Sequence, residues 1–126
     1  MNTLAPKSIL VVEDDPHVAN TLSLLLMIDR HQVAVVSDGQ TALARYKEGK
    51  YDLVMTDLLM PGVDGLELSQ LIKLRNPKQP IVLLSGYFDA VSESEKKWLK
   101  NIDCLLAKPF SQQQLQESLS AVFPNG

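Results

Sequence analysis

A doubly wound α/β fold, with five parallel strands in one sheet and helices on both faces, is predicted by three observations. Five short apolar runs alternate with segments of helical periodicity. The runs are continuously apolar rather than alternately polar, as strands covered on both faces are. Four of the five runs end on a reactive or polar side chain, which sets chemistry along one edge of the sheet.

The elements follow in order. Ser8 to Val12 is the first strand; it runs into Glu13-Asp14-Asp15-Pro16, where Asp15 reads as an N-cap and Pro16 as the first helical residue. Val18, Leu22, Leu25 and Leu26 then share one helix face, and Asp29-Arg30-His31 ends it. Gln32 to Val36 is the second strand, Ser37-Asp38-Gly39 its turn and cap. Ala42, Leu43 and Tyr46 mark a short helix closed by Gly49. The third strand, Leu53 to Thr56, delivers Asp57 at its tip, before the breaker Met60-Pro61-Gly62. Val63-Asp64-Gly65 opens a helix carrying Leu68, Leu71 and Ile72, stopped by Pro77.

Pro80 precedes the fourth strand, Ile81 to Leu84, which ends at Ser85-Gly86. A loop from Tyr87 to Ala90 leads to a helix expected from Val91 or Ser92 to about Asn101. Asp103 to Ala107 is the fifth strand, ending at Lys108-Pro109-Phe110. Ser111 and Gln114 have the spacing of a capping box, and Leu115, Leu119 and Val122 form the apolar face of the last helix.

Composition narrows the function classes. The 126 residues suffice for one domain, 1–126 with a core over 7–123, and no output domain is expected within the chain. Fifteen acids against 12 bases give a net charge of −3, which argues against a nucleic-acid footprint. Lys96, Lys97 and Lys100 read as a solvated helix face. A single cysteine, Cys104, excludes an internal disulfide and is expected to be an inert core residue. The first seven residues are too short and polar for a signal peptide, and no apolar run approaches the ~18 residues of a membrane span. A cytoplasmic protein without membrane contact is the expectation.

In the flavodoxin-like strand order 2-1-3-4-5, the first and third strands are neighbours at the topological switch point. Glu13, Asp14, Asp57, Ser85 and Lys108 would then converge on one crevice, whereas Ser37 and Asp38 are explained by a turn. Carboxylates that close repel unless a cation relieves them. Few protein ligands completed by water and a phosphate oxygen suit magnesium better than calcium. Lys108 is a compact charge able to reach a phosphoryl oxygen, Ser85 a donor to another, and Gly86 leaves room beside it. Asp57 is then the nucleophile of an aspartyl phosphate, in a transfer that needs mainly positioning and charge neutralisation.

These residues resemble the receiver domain of two-component response regulators. The resemblance rests on Ile9 to Pro16 with its acidic group, on Tyr51 to Gly62 with Asp57, Met60-Pro61-Gly62 and Asp64-Gly65, on Val82 to Gly86, and on Leu106-Ala107-Lys108-Pro109-Phe110. The four motifs in this order span roughly residues 7 to 123. The resemblance implies that Asp57 takes a phosphoryl group from a phosphohistidine on a sensor histidine kinase or phosphotransfer protein. It implies that Asp14 and Asp57 ligate Mg²⁺ directly, that Glu13 acts through water, and that the Leu59 carbonyl adds a ligand. Ser85 and Lys108 would bind the phosphoryl group and reshape the face of the fourth helix, fifth strand and fifth helix, for a downstream protein partner or an output domain. No enzyme activity is expected beyond the chain's own phosphoryl transfer and slow autodephosphorylation.

Two positions depart from the family pattern. Leu105 stands where an aromatic switch residue is frequent, so output through backbone shifts is the expectation. Leu59 and Tyr87 replace polar residues that help place a hydrolytic water, so a long-lived aspartyl phosphate is expected. Alternatives are a docking receiver independent of phosphorylation, a small phosphatase or phosphotransferase with an aspartyl intermediate, and a flavin-type cofactor binder. Leu59 cannot supply the second acid of the phosphatase, and the acidic tips would repel a flavin phosphate. Of the remaining polar and aromatic residues, His17 is expected in an exposed first turn, His31 in a loop, and Tyr87 and Phe88 in a partly exposed loop. Trp98 and Leu99 are expected to anchor the fourth helix.

Overall fold

The computed structural model describes residues 4–86, 99–100 and 102–126. Among these residues the strands β1 (Ser8–Val12), β2 (Gln32–Val36), β3 (Leu53–Asp57), β4 (Ile81–Ser85) and β5 (Cys104–Ala107) form one sheet, ordered β2-β1-β3-β4-β5. All four strand pairs are parallel. The helices are α1 (Pro16–Ile28), α2 (Gly39–Arg45), α3 (Gly65–Arg75) and α4 (Gln112–Val122). Of the helix expected between Val91 and Asn101, only Leu99 and Lys100 are among the described residues; Lys96, Lys97 and Trp98 lie outside them, as do Tyr87 and Phe88.

Each apolar run becomes a strand because its alternate residues enter different cores. Ile9, Val11, Leu53, Met55, Val82, Leu84 and Leu106 face α1 and α4, packing on Leu22, Leu26, Leu115 and Leu119. Leu10, Val12, Val54 and Ile81 face the other way, onto Ala42 of α2 and Leu68 and Ile72 of α3. Leu83 joins Leu58 and Leu66 in a smaller cluster, against which Leu99 and Ile102 pack. Burial on both faces is why β3 and β4 are wholly buried.

The helix starts are set by side-chain caps. Asp15, Asp38 and Asp64 accept from the amides of His17, Thr41 and Glu67 at 2.9, 2.7 and 2.8 Å. Ser111 and Gln114 form the expected reciprocal capping box.

Asp57 and Ser85 are the last residues of β3 and β4, at the strand tips where they were expected. Other expectations need correction. α2 ends before Gly49: Tyr46 turns to extended backbone, is buried, and donates its hydroxyl to Gln79 Oε1 at 2.7 Å. Cys104 is half-buried rather than enclosed, because β5 lies at the sheet's edge. Asp103 stands before β5 and accepts from the Ile81 amide at 2.7 Å and Lys73 Nζ at 3.2 Å. His31 lies in the connection between α1 and β2, as expected, but it is buried, being only 4% exposed. It ends α1 in a Schellman arrangement: the Arg30 amide donates to the Met27 carbonyl and the His31 amide to the Leu26 carbonyl, at 2.9 and 3.1 Å. That geometry puts Arg30 at φ 71°, where glycine is the usual residue.

Candidate functional site

Strand alternation and register assemble the site. Glu13 continues the row of Ile9 and Val11, Asp57 that of Leu53 and Met55, and Lys108 that of Leu106. All three rows face α1 and α4. Val12 pairs with Thr56, so Glu13 and Asp57 emerge side by side. Asp57 pairs with Leu84, and Leu84 with Leu106, which carries the registry across to Lys108. Ser85, one residue beyond Leu84, is buried at the tip of β4.

The charged groups meet. Lys108 Nζ donates to Glu13 Oε1 at 3.0 Å and lies 3.1 Å from Asp57 Oδ1. Glu13 and Asp57 are buried and Asp14 is exposed, yet carboxylate oxygens of all three lie within 4.8 Å of one another. The second oxygen of Glu13 accepts from the Asp15 amide at 3.1 Å. Burial pushes the Glu13 carboxyl up to about 7, and the Asp57 charge adds to this, against the pull of the Asp15 amide and Lys108. Burial alone would lower Lys108, but hydrogen bonds and charge from Glu13 and Asp57 outweigh it and hold the ammonium above its ordinary value. The set is acidic, oxygen-rich, and has one carboxylate open to water. Such donors fit a hard divalent cation that keeps part of its water shell.

An open groove of about 630 Å³ lies over this cluster, lined in part by Asp57, Leu59, Ser85, Gly86 and Lys108. Leu59 is 51% exposed. His17 is exposed as expected, and it also lines the groove. Val18, Thr21, Pro109 and Phe110 complete the wall and were not foreseen as part of the site. They come from the first two turns of α1 and from the residues directly after Lys108, two segments whose meeting the sequence does not announce. Leu105 lies on β5 beside Leu83, 43% exposed, on the face turned away from Asp57.

α3 reaches the site through its first residue. A Cβ on Gly65 would clash with the Asp57 carbonyl oxygen, and the Gly65 amide donates to the Leu58 carbonyl at 2.9 Å. Glycine is required here by close backbone approach, which brings the helix start against the strand that carries Asp57.

Residues 9–120 match the response regulator receiver domain family. The chain is similar to the transcriptional regulatory protein TcrA of Mycobacterium tuberculosis, at 33% identity over 94% of this chain and 46% of TcrA. It is 31% identical to the heme response regulator HssR of Staphylococcus haemolyticus, over 90% of this chain and 50% of HssR. The chain thus spans about half the length of these curated relatives. Among solved structures, the response regulator TrrA of Thermotoga maritima, in complex with Mg²⁺-BeF, superposes with a TM-score of 0.82 at 30% identity, covering 92% of this chain and 98% of TrrA.

Proposed function

Because the chain belongs to the response regulator receiver domain family, we propose that it is a phosphoacceptor switch in two-component signalling, with Asp57 as the acceptor. The observation that carries this reading is the meeting of Glu13, Asp14 and Asp57 within 4.8 Å, with Lys108 3.1 Å from the Asp57 carboxylate.

An oxygen of Asp57 attacks the phosphorus of a phosphohistidine on a sensor histidine kinase or phosphotransfer protein. A P–O bond forms, the P–N bond breaks, and its electron pair leaves on the imidazole nitrogen. Lys108 sets an ammonium beside the receiving oxygen, so charge brought in by the phosphoryl group meets a cation already in place. Ser85, at the groove wall, offers its hydroxyl to a phosphoryl oxygen. Mg²⁺, held by Asp14 and Asp57, by Glu13 through water and by the Leu59 carbonyl, would neutralise charge on the transferring group. That the TrrA relative was solved in complex with Mg²⁺-BeF supports a divalent ion as this chain's cofactor. The chain catalyses only its own phosphorylation and slow dephosphorylation. Its output passes through β5, α4 and the segment between β4 and β5 to a downstream protein partner or output domain. Leu105 gives this face an aliphatic side chain, so the change runs through backbone shifts.

The test is incubation with a small acyl phosphate and Mg²⁺, read by intact mass. One phosphoryl group is expected on the parent and none on Asp57→Asn. Equal labelling of both would move the acceptor elsewhere; labelling of neither would favour a docking role without phosphorylation.

A further inference from the structure

At the pole of the sheet opposite Asp57, where β1 and β2 begin, one imidazole holds distant parts of the chain together. His31 Nδ1 accepts the Lys7 amide at 3.0 Å, so its proton sits on Nε2. That Nε2 is buried and has no hydrogen-bond partner among the described residues. Lys7 continues the connection. Its ammonium lies 4.5 Å from the centre of the Phe123 ring and donates to the Gly126 carbonyl at 3.2 Å. Its carbonyl accepts the Gln32 amide at 2.9 Å, while the His31 amide closes the Schellman end of α1. From the imidazole to the segment after α4 there is one intervening residue, Lys7.

We propose that His31 is a proton-operated latch: neutral, it fixes Lys7 and through it Phe123–Gly126; protonated, it releases them. An imidazolium is a donor at both nitrogens. At 3.0 Å its Nδ1–H would confront the Lys7 N–H with no lone pair between them. The charge would also arise in a site nearly closed to water.

The surroundings tilt the same way. The Lys7 ammonium, from the start of β1, opposes protonation, and Arg30 adjoins in sequence. Asp29, at the end of α1, favours protonation and is itself held by Gln116 Nε2 of α4 at 3.0 Å. β2 presents the uncharged Gln32, and Asp52, before β3, is engaged by the Ser8 amide at 2.8 Å. Burial outweighs the pull of Asp29 and, with Lys7, holds the imidazole below its ordinary value of 6.5. The unfolded chain therefore takes up the proton first as pH falls. The stability contributed by neutral His31 is complete above about pH 6.5 and is lost as pH falls from there through the depressed folded value.

The experiment is an NMR titration of the intact chain from about pH 8 to about pH 5, following the imidazoles and backbone amides. His31 is expected to titrate below about 6.5, with the Lys7 and Phe123–Gly126 amides moving at the same midpoint. Protection of the Lys7 amide from exchange, corrected for intrinsic pH dependence, should fall about fivefold on protonation. In Lys7→Ala, the residue 7 amide should still follow His31 while Phe123–Gly126 should not. His31→Asn should abolish both responses, and His17→Asn should leave them intact. Protonation of His31 that leaves Phe123–Gly126 in place would overturn the proposal. So would a response that survives in His31→Asn or one that disappears in His17→Asn. Should His31→Asn fail to fold, the parent and Lys7→Ala titrations decide. This inference does not depend on phosphorylation of Asp57.

Discussion

Leu59 stands two residues past Asp57, in the same groove, and offers the reacting centre no hydrogen-bond donor or acceptor from its side chain. A water beside an aspartyl phosphate would find little there to orient it. Leu59→Asn supplies an amide at that point. It is expected to speed phosphoryl loss by up to about tenfold, equivalent to about 1.4 kcal/mol of barrier. The decay of the phosphorylated mass after donor removal measures this; unchanged decay would remove Leu59 from the account. The same scale explains what the sequence concealed. The burial of His31 was hidden because a helix that ends on Asp29-Arg30 without glycine gives no sign of a Schellman turn, and the residue after that turn is the one enclosed. The pairing of Lys108 with Glu13 was equally hidden, since residues so far apart along the chain carry no distance between them.

Among the elements, the strands were legible because burial on both faces imposes continuous apolar runs, and α4 because its capping box is local chemistry. The end of α2 was less so: Tyr46 fits helical spacing, but its buried hydroxyl reaches Gln79 and the chain leaves the helix to let it. The start of α3 carries a prediction. In Gly65→Ala the new methyl would meet the Asp57 carbonyl, backbone that cannot turn aside as a side chain would. A loss of roughly 1–3 kcal/mol is expected, seen as a lower urea midpoint, together with slower labelling of Asp57 as its strand shifts. A fully stable variant with unchanged labelling would show that α3 can move without disturbing the acceptor.

For the molecule as a whole, the sheet is common to the packing on both sides, so its centre should unfold as one unit. Leu84 is fully buried between β3 and β5, and its carbonyl accepts the Leu58 amide just past Asp57 at 2.8 Å. Leu84→Ala should cost about 2–5 kcal/mol in urea unfolding, in a transition that remains single. The site was legible at this scale because a parallel sheet brings its strand tips to one rim, so the chemistry of five positions could be read without coordinates. The groove wall was not, because Val18, Thr21 and Phe110 become a surface only when α1 and the segment after β5 come together.

The contact of Lys108 with Glu13 has a consequence of its own. The structure keeps this cation engaged with an internal acid, so under the proposed function an incoming phosphoryl group would have to win that amine away from a rival carboxylate. Quiescence would then be an occupied arrangement instead of a vacant one, and the strength of the rival would set how firm a signal must be before the domain answers it.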